Sequence, residues 1–297
     1  MDERYDLVRA VRDKQFRYIR NYMPFRMTLQ HIDYLFNAPS ALSWENAFRS
    51  GRTNEVQGRY FKTKPVEELY NTENDPWEIN NLANNPAYKK VLLRMREAEK
   101  DWRLEIRDVG MIPETEYEDL MGEKSMYDYM RSSECPLGEL LRASELAALG
   151  TKEDLNTFVD LLHDKNNSIR YWGATGLLIL KDGARPAISE LKVASNDRSG
   201  AVATLAAEAL YGLGETESAI KAYTRILLDT VTYKMSDRNF ALNSIEAIDA
   251  KNPEIITIIR KLYFDNASGP GDFAARYSNY DVTMSEYLLK KWYIIER

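Results

Sequence analysis

Four aliphatic residues recur at nearly even intervals down the second half of the chain. They are Leu146, Leu177, Leu210 and Ile245, with spacings of 31, 33 and 35 residues. A second ladder, Leu149, Leu180, Leu213 and Ile248, runs three residues behind the first. A steady period of this length marks one supersecondary unit repeated along the chain. Each unit reads as a short helix, an Asp/Asn turn and a second helix. Leu161-Leu162-His163-Asp164 precedes Ile169-Arg170-Tyr171-Trp172-Gly173-Ala174, and Asn196-Asp197 precedes the run Val202 to Leu210. A unit of that size cannot bury its apolar face alone, so neighbouring units must stack. Gly173, Ala174, Ala206 and Ala207 allow close helix approach. The pattern predicts a helical array over 131–297, closed by a terminal helix from Phe273 to Arg297 that packs Tyr287, Leu288, Leu289, Trp292 and Ile294.

These units resemble HEAT-type repeats, although they are shorter than the ~40 residues usual for that family. Gly214-Glu215 at a helix end leaves a tetratricopeptide-like array as the alternative.

Residues 1–130 carry a different pattern. Val8–Arg12 and Phe16–Arg20 flank the polar turn Asp13-Lys14-Gln15, which reads as a β-hairpin. Glu68-Leu69-Tyr70 reads as a further strand. Asp75 is placed to cap a helix, Pro76 suits its first position and Glu78 falls where a capping-box acid belongs. Trp77, Ile79 and Leu82 would anchor that helix. Residues 24–58 read as irregular, with a short helix around Ser43–Phe48. Asn85-Pro86 opens a long helix on which Tyr88, Val91, Leu92, Met95, Ala98 and Trp102 form one apolar face, predicted to pack on the sheet. Residues 115–137 read as a connector or docking segment.

The string Lys64-Pro65-Val66-Glu67-Glu68-Leu69-Tyr70, continued through Asp75-Pro76-Trp77-Glu78 and Asn81-Leu82-Ala83, resembles the C-terminal end of the sulfatase family. That family includes arylsulfatases and N-sulfoglucosamine sulfohydrolase-like enzymes. The hairpin through Asn21-Tyr22 and the run Asp108–Glu114 match further segments of it, in order, so the resemblance spans about residues 2–120. It implies a small antiparallel sheet plus helices, that is, an α+β sulfatase C-terminal-like subdomain, followed here by the all-α solenoid. It also implies that the catalytic residues lie in a preceding half. There the family places formylglycine, made from the Cys of a Cys-x-Pro-x-Arg motif, and the calcium that neutralises the sulfate. Neither cofactor is expected in this chain. Cys135, the single cysteine, is followed by Pro136 and carries Glu139 where that motif needs Arg, so it is not the nucleophile. The family's bacterial members imply a periplasmic or extracellular location.

Composition narrows the remaining classes. A net charge of -6 argues against a general nucleic-acid binder. No apolar run reaches the ~18 residues of a membrane span. One cysteine excludes an intrachain disulfide. His31 and His163 lack ligand spacing, and no Gly-rich phosphate loop occurs.

The hairpin is basic, with seven Lys/Arg against four acids in residues 1–26. Arginine forks match sulfate-like oxyanions. Arg20, Arg26 and His31 are therefore the candidate substrate contacts, with a solvated strand face as the alternative. Arg170, Tyr171 and Trp172 open an inner helix and are the candidate partner contacts, with core packing as the alternative. The expected partners are a sulfatase catalytic domain, a second copy of the chain or a sulfated polysaccharide. The function that follows is a non-catalytic C-terminal portion of a sulfatase, which borders the substrate cleft and docks through its repeats. The alternative is a stand-alone scaffold.

Overall fold

The computed structural model describes residues 3–266 and 279–295. It is mostly helical, with one three-stranded antiparallel sheet ordered β1-β2-β3. These strands are β1 (Val8–Arg12), β2 (Phe16–Asn21) and β3 (Glu67–Asn71). The register pairs Val11 with Tyr18 and Tyr18 with Leu69. One sheet face thus carries Val11, Phe16, Tyr18 and Leu69, because paired residues project to the same side. The hairpin turn closes through Asp13, whose carboxylate accepts the N–H groups of Gln15 and Phe16.

Between β2 and β3 run three short helices, α1 (Asp33–Phe36), α2 (Pro39–Arg49) and α3 (Glu55–Gly58). The long helix α4 (Lys89–Ile106) follows β3 and covers the apolar sheet face with Val91, Leu92 and Met95. The apolar reading of α4 fails in its second half. Ala98 and Trp102 are exposed, and the buried positions are Glu99 and Arg103. These two charges pair with each other across one turn, at 2.6 Å. That is how charged side chains can occupy an interior stripe.

No helix follows Asp75. The segment is a loop in which Asp75 accepts the N–H groups of Ile79 (2.8 Å) and Asn80 (2.7 Å). Glu78 adopts φ 52, a left-handed conformation that stops helical propagation, and its carboxylate pairs with Arg17 at 2.9 Å. Trp77 is 81% exposed and so anchors no helix among the described residues, and Ile79 is exposed too. The loop returns to the sheet where Leu82 N–H donates to Leu69 O at 2.7 Å.

After α5 (Tyr117–Met121) and α6 (Met126–Arg131) the chain becomes a stack of helices. One layer is α7 (Leu137–Leu149), α9 (Asn167–Leu180), α11 (Gly200–Gly212), α13 (Met235–Ala247) and α15 (Tyr280–Lys291), each touching the next. The other holds α8 (Leu155–Leu161), α10 (Ile188–Ala194), α12 (Thr216–Leu228) and α14 (Pro253–Asn266). Helix α11 is buried from Gly200 to Leu210, as expected of a helix apolar on all sides and flanked on all sides. Gly173 and Gly176 let α8 approach α9: a Cβ on Gly176 would lie 2.5 Å from the Phe158 ring.

Leu177, Leu210 and Ile245 are fully buried. Leu149 is 46% exposed, because it ends the first helix of the stack, with no earlier unit to cover it. Trp292 packs at the far end, its Nε1 donating to Asp249 at 2.8 Å. Phe273, where the terminal helix is expected to begin, lies outside the described residues.

The sheet-bearing segment and the helical stack share one hydrophobic cluster. Tyr5, Leu7, Tyr22, Met23, Met111 and Ile112 pack with residues of α7, α9, α11 and α13. No helix of the described residues is long and apolar enough to cross a membrane.

Candidate functional site

A cleft of ≈ 560 Å³ opens where the two segments meet. Pro24, Phe25, Arg26, Thr63, Lys64 and Val66 form one wall. This wall is held by the isolated bridge between Met27 and Thr63 and by the bond from Lys64 N–H to Pro24 O. The opposite wall comes from the ends of three stacked helices, including Leu177, Ile179, Ala209 and Ile248, with Lys181 and Asp182 at the mouth.

Arg26, on the first wall, is 3% exposed and donates from both terminal guanidinium nitrogens to Glu208 at 2.5 Å each. Glu208 also accepts from Ser244 Oγ at 2.6 Å, and Ser244 Oγ shares a 2.7 Å bond with the Tyr223 hydroxyl. Burial opposes the Arg26 charge, and the Glu208 carboxylate more than restores it, leaving its pKa raised. Such a two-pronged pair is geometrically specific. Lys64 donates to both Asp6 oxygens, at 2.5 and 2.6 Å. Burial nevertheless lowers the Lys64 pKa. Lys181, by contrast, is exposed, with φ 51 at the end of α9. Among the described residues, the cleft therefore combines apolar walls and two internally compensated cations with the exposed Lys181, next to Asp182, which pairs with Arg185. It is suited to holding an anion-bearing ligand with apolar faces.

The remaining candidates lie elsewhere. Arg20 is 0% exposed and ion-pairs with Glu67 (3.3 Å) and Glu145 (3.4 Å). Arg103 reaches the same Glu145, and the Tyr22 hydroxyl donates to it at 2.7 Å. This network ties the sheet and α4 to α7, and Arg20 presents no surface to a sulfate. His31 is stacked on Tyr287 of α15, ring centroids 3.7 Å apart, with Phe36 at 4.5 Å. Burial, reinforced by the Arg4 charge, lowers its pKa to about 3, so it is neutral at pH 7. Of the three candidate substrate contacts, only Arg26 lines the cleft.

Of the three repeat candidates, Tyr171 and Trp172 face inward, and Arg170 is half-buried beside a pocket lined with His163 and Asp197. Trp172 is 0% exposed and its Nε1 donates to Met111 O at 2.8 Å. Tyr171 is likewise 0% exposed, and Arg170 forks onto Asp197 at 2.6 and 2.9 Å. These residues join consecutive units and the sheet-bearing segment. Lys64, Lys181 and Glu208 were missed as site residues. Only Glu208 carried a sequence signal, as the single charge in the run Ala201–Leu210.

Cys135 is buried beside Met130 Sδ (3.7 Å), and burial raises its thiol pKa. Among the described residues, no group of three or more His, Cys, Asp or Glu could hold a metal ion.

Comparison with known proteins adds a relationship to this geometry. A segment of 116 residues, 39% of the chain, is 40% identical to an ulvan-active sulfatase of Formosa agariphila. A segment of 88 residues, 28% of the chain, is 33% identical to a second ulvan-active sulfatase of the same organism. A region of this chain is sulfatase-related. The matched segments make up only 20% and 14% of those proteins' lengths. No family model matches the chain, and no solved structure matches it.

Proposed function

We propose that this chain is the non-catalytic C-terminal part of a sulfatase acting on sulfated carbohydrate, and that it contributes one wall of the substrate cleft. The observation that carries this reading is the 40% identity over 116 residues to an ulvan-active sulfatase. The cleft at Arg26 supports it, since apolar walls suit the C–H faces of a sugar and Lys181 offers an exposed cation to a sulfate. On this reading, calcium and formylglycine belong to a catalytic domain that this chain accompanies. The helical stack is a HEAT-like solenoid that docks that domain or a second copy.

The test is sulfate release from ulvan oligosaccharides by the purified 297-residue chain, measured beside calorimetric binding of the same oligosaccharides. Binding without turnover is expected. Turnover by this chain alone would refute the non-catalytic assignment.

A further inference from the structure

A second pocket, of ≈ 290 Å³, lies at the starts of α9, α11 and α13, away from the Arg26 cleft. Its lining includes Thr115, Glu116, Asn167, Ser199 and Asp237. Glu116 is 3% exposed and Asp237 is 6% exposed. Neither has an ion-pair partner among the described residues. Glu116 accepts from Asn167 Nδ2 (2.6 Å) and from Ser199 Oγ. Asp237 accepts the Lys234 N–H at 3.0 Å.

The nearest lysine compensates Asp237 only in part, its charge opposing a larger effect of burial. Lys234 Nζ is committed to Asp119 (2.6 Å) and Glu118 (3.1 Å) at the rim. Arg198 stands exposed at the mouth. The helix starts supply partial positive charge to the two carboxylates. This is not enough for Asp237, whose pKa burial raises to about 7, with Glu116 and Asp119 adding to the effect. A second observation is independent of charge. Thr115 is 6% exposed, and its buried Oγ1 has no hydrogen-bond partner. A buried hydroxyl left unpaired is uncommon; Ser168, Tyr171 and Thr204 share that state, and of the four only Thr115 lines this pocket.

We infer that this pocket binds a small primary ammonium group, which donates its three N–H bonds to Glu116, Asp237 and Thr115. An ammonium supplies both absent elements: positive charge for the carboxylates and a donor for the hydroxyl. A metal ion is the poorer fit, because the pocket gathers no ligand cluster for one.

The test is a titration of the full chain with methylammonium chloride at constant ionic strength, read by calorimetry and by thermal shift. Potassium and tetramethylammonium chloride serve as comparisons. A saturable response to methylammonium alone is expected. It should be tighter at pH 8 than at pH 6, where Asp237 is protonated among Glu116, Glu118, Asp119, Arg198 and Lys234. Asp237→Asn should weaken binding about tenfold or more, as loss of a charge-assisted bond does. Thr115→Val, an isosteric change that leaves no polar atom unpaired, should weaken binding while keeping or raising Tm. No saturable response, or an equal response to potassium or tetramethylammonium, would overturn the assignment. An undiminished response in a folded Thr115→Val or Asp237→Asn chain would also overturn it.

Discussion

Truncating Arg26 should be among the most damaging single changes in this protein. Arg26→Ala leaves the Glu208 carboxylate, itself 4% exposed, with Ser244 Oγ as its one hydrogen-bond partner among the described residues. Removing one member of a buried pair costs about 3–5 kcal/mol, most of it the charge left behind. At about 2–4 °C per kcal/mol for large domains, Tm should fall by roughly 10 °C. Arg26→Met combined with Glu208→Leu removes both charges and retains apolar volume, so it should recover most of that loss. Differential scanning fluorimetry of Arg26→Met, Glu208→Leu and their combination completes the cycle, beside Arg26→Ala. The control is Lys100→Ala, which breaks the exposed 3.3 Å pair with Glu97. Exposed pairs contribute about 1 kcal/mol at most. If Arg26→Ala shifts Tm no more than Lys100→Ala does, the Arg26–Glu208 pair is not the compensated buried charge described here.

Two groups should give opposite pH dependences. Asp237 has a folded pKa raised from 3.8 to about 7, so the folded state holds its proton more tightly and stability falls as pH rises between those values. At about 1.36 kcal/mol per pKa unit the effect is roughly 4 kcal/mol, and Asp237→Asn should flatten that limb of a urea-midpoint-versus-pH curve. His31 has a folded pKa lowered from 6.5 to about 3, so its contribution is complete above pH 6.5 and is lost as pH falls toward 3. His31→Phe should keep the stack on Tyr287 and remove that acid limb. Gly176→Ala would force a methyl to within 2.5 Å of the Phe158 ring, and thermal melts should show a cost of about 1–3 kcal/mol.

Periodic apolar spacing made most of the fold legible. The hairpin, the first half of α4 and the stacked helices announce themselves by alternation or by three-and-four spacing, and β3 by a short apolar run. The false helix at Asp75 shows the limit of local rules. Its cap residues were all present, but a left-handed Glu78 and the return of Leu82 to the β3 edge imposed a loop. The site was far less legible. Arg20 and Arg26 stood out as cations in a basic hairpin, whereas their partners Glu145 and Glu208 lie 125 and 182 residues away in sequence. Burial of a charge depends on such long-range partners, which spacing does not encode. Trp172 and Tyr171 were ambiguous for the same reason, because an aromatic opening a helix reads identically whether it faces a partner or a neighbouring segment.

The most direct test of the account is calorimetric titration of the purified chain with ulvan oligosaccharides and with the same oligosaccharides chemically desulfated. Sulfate-dependent binding that Lys181→Glu weakens at the mouth of the Arg26 cleft is the predicted result. Equal affinity for the two ligands, or no binding of either, would contradict a role in the sulfated-substrate cleft.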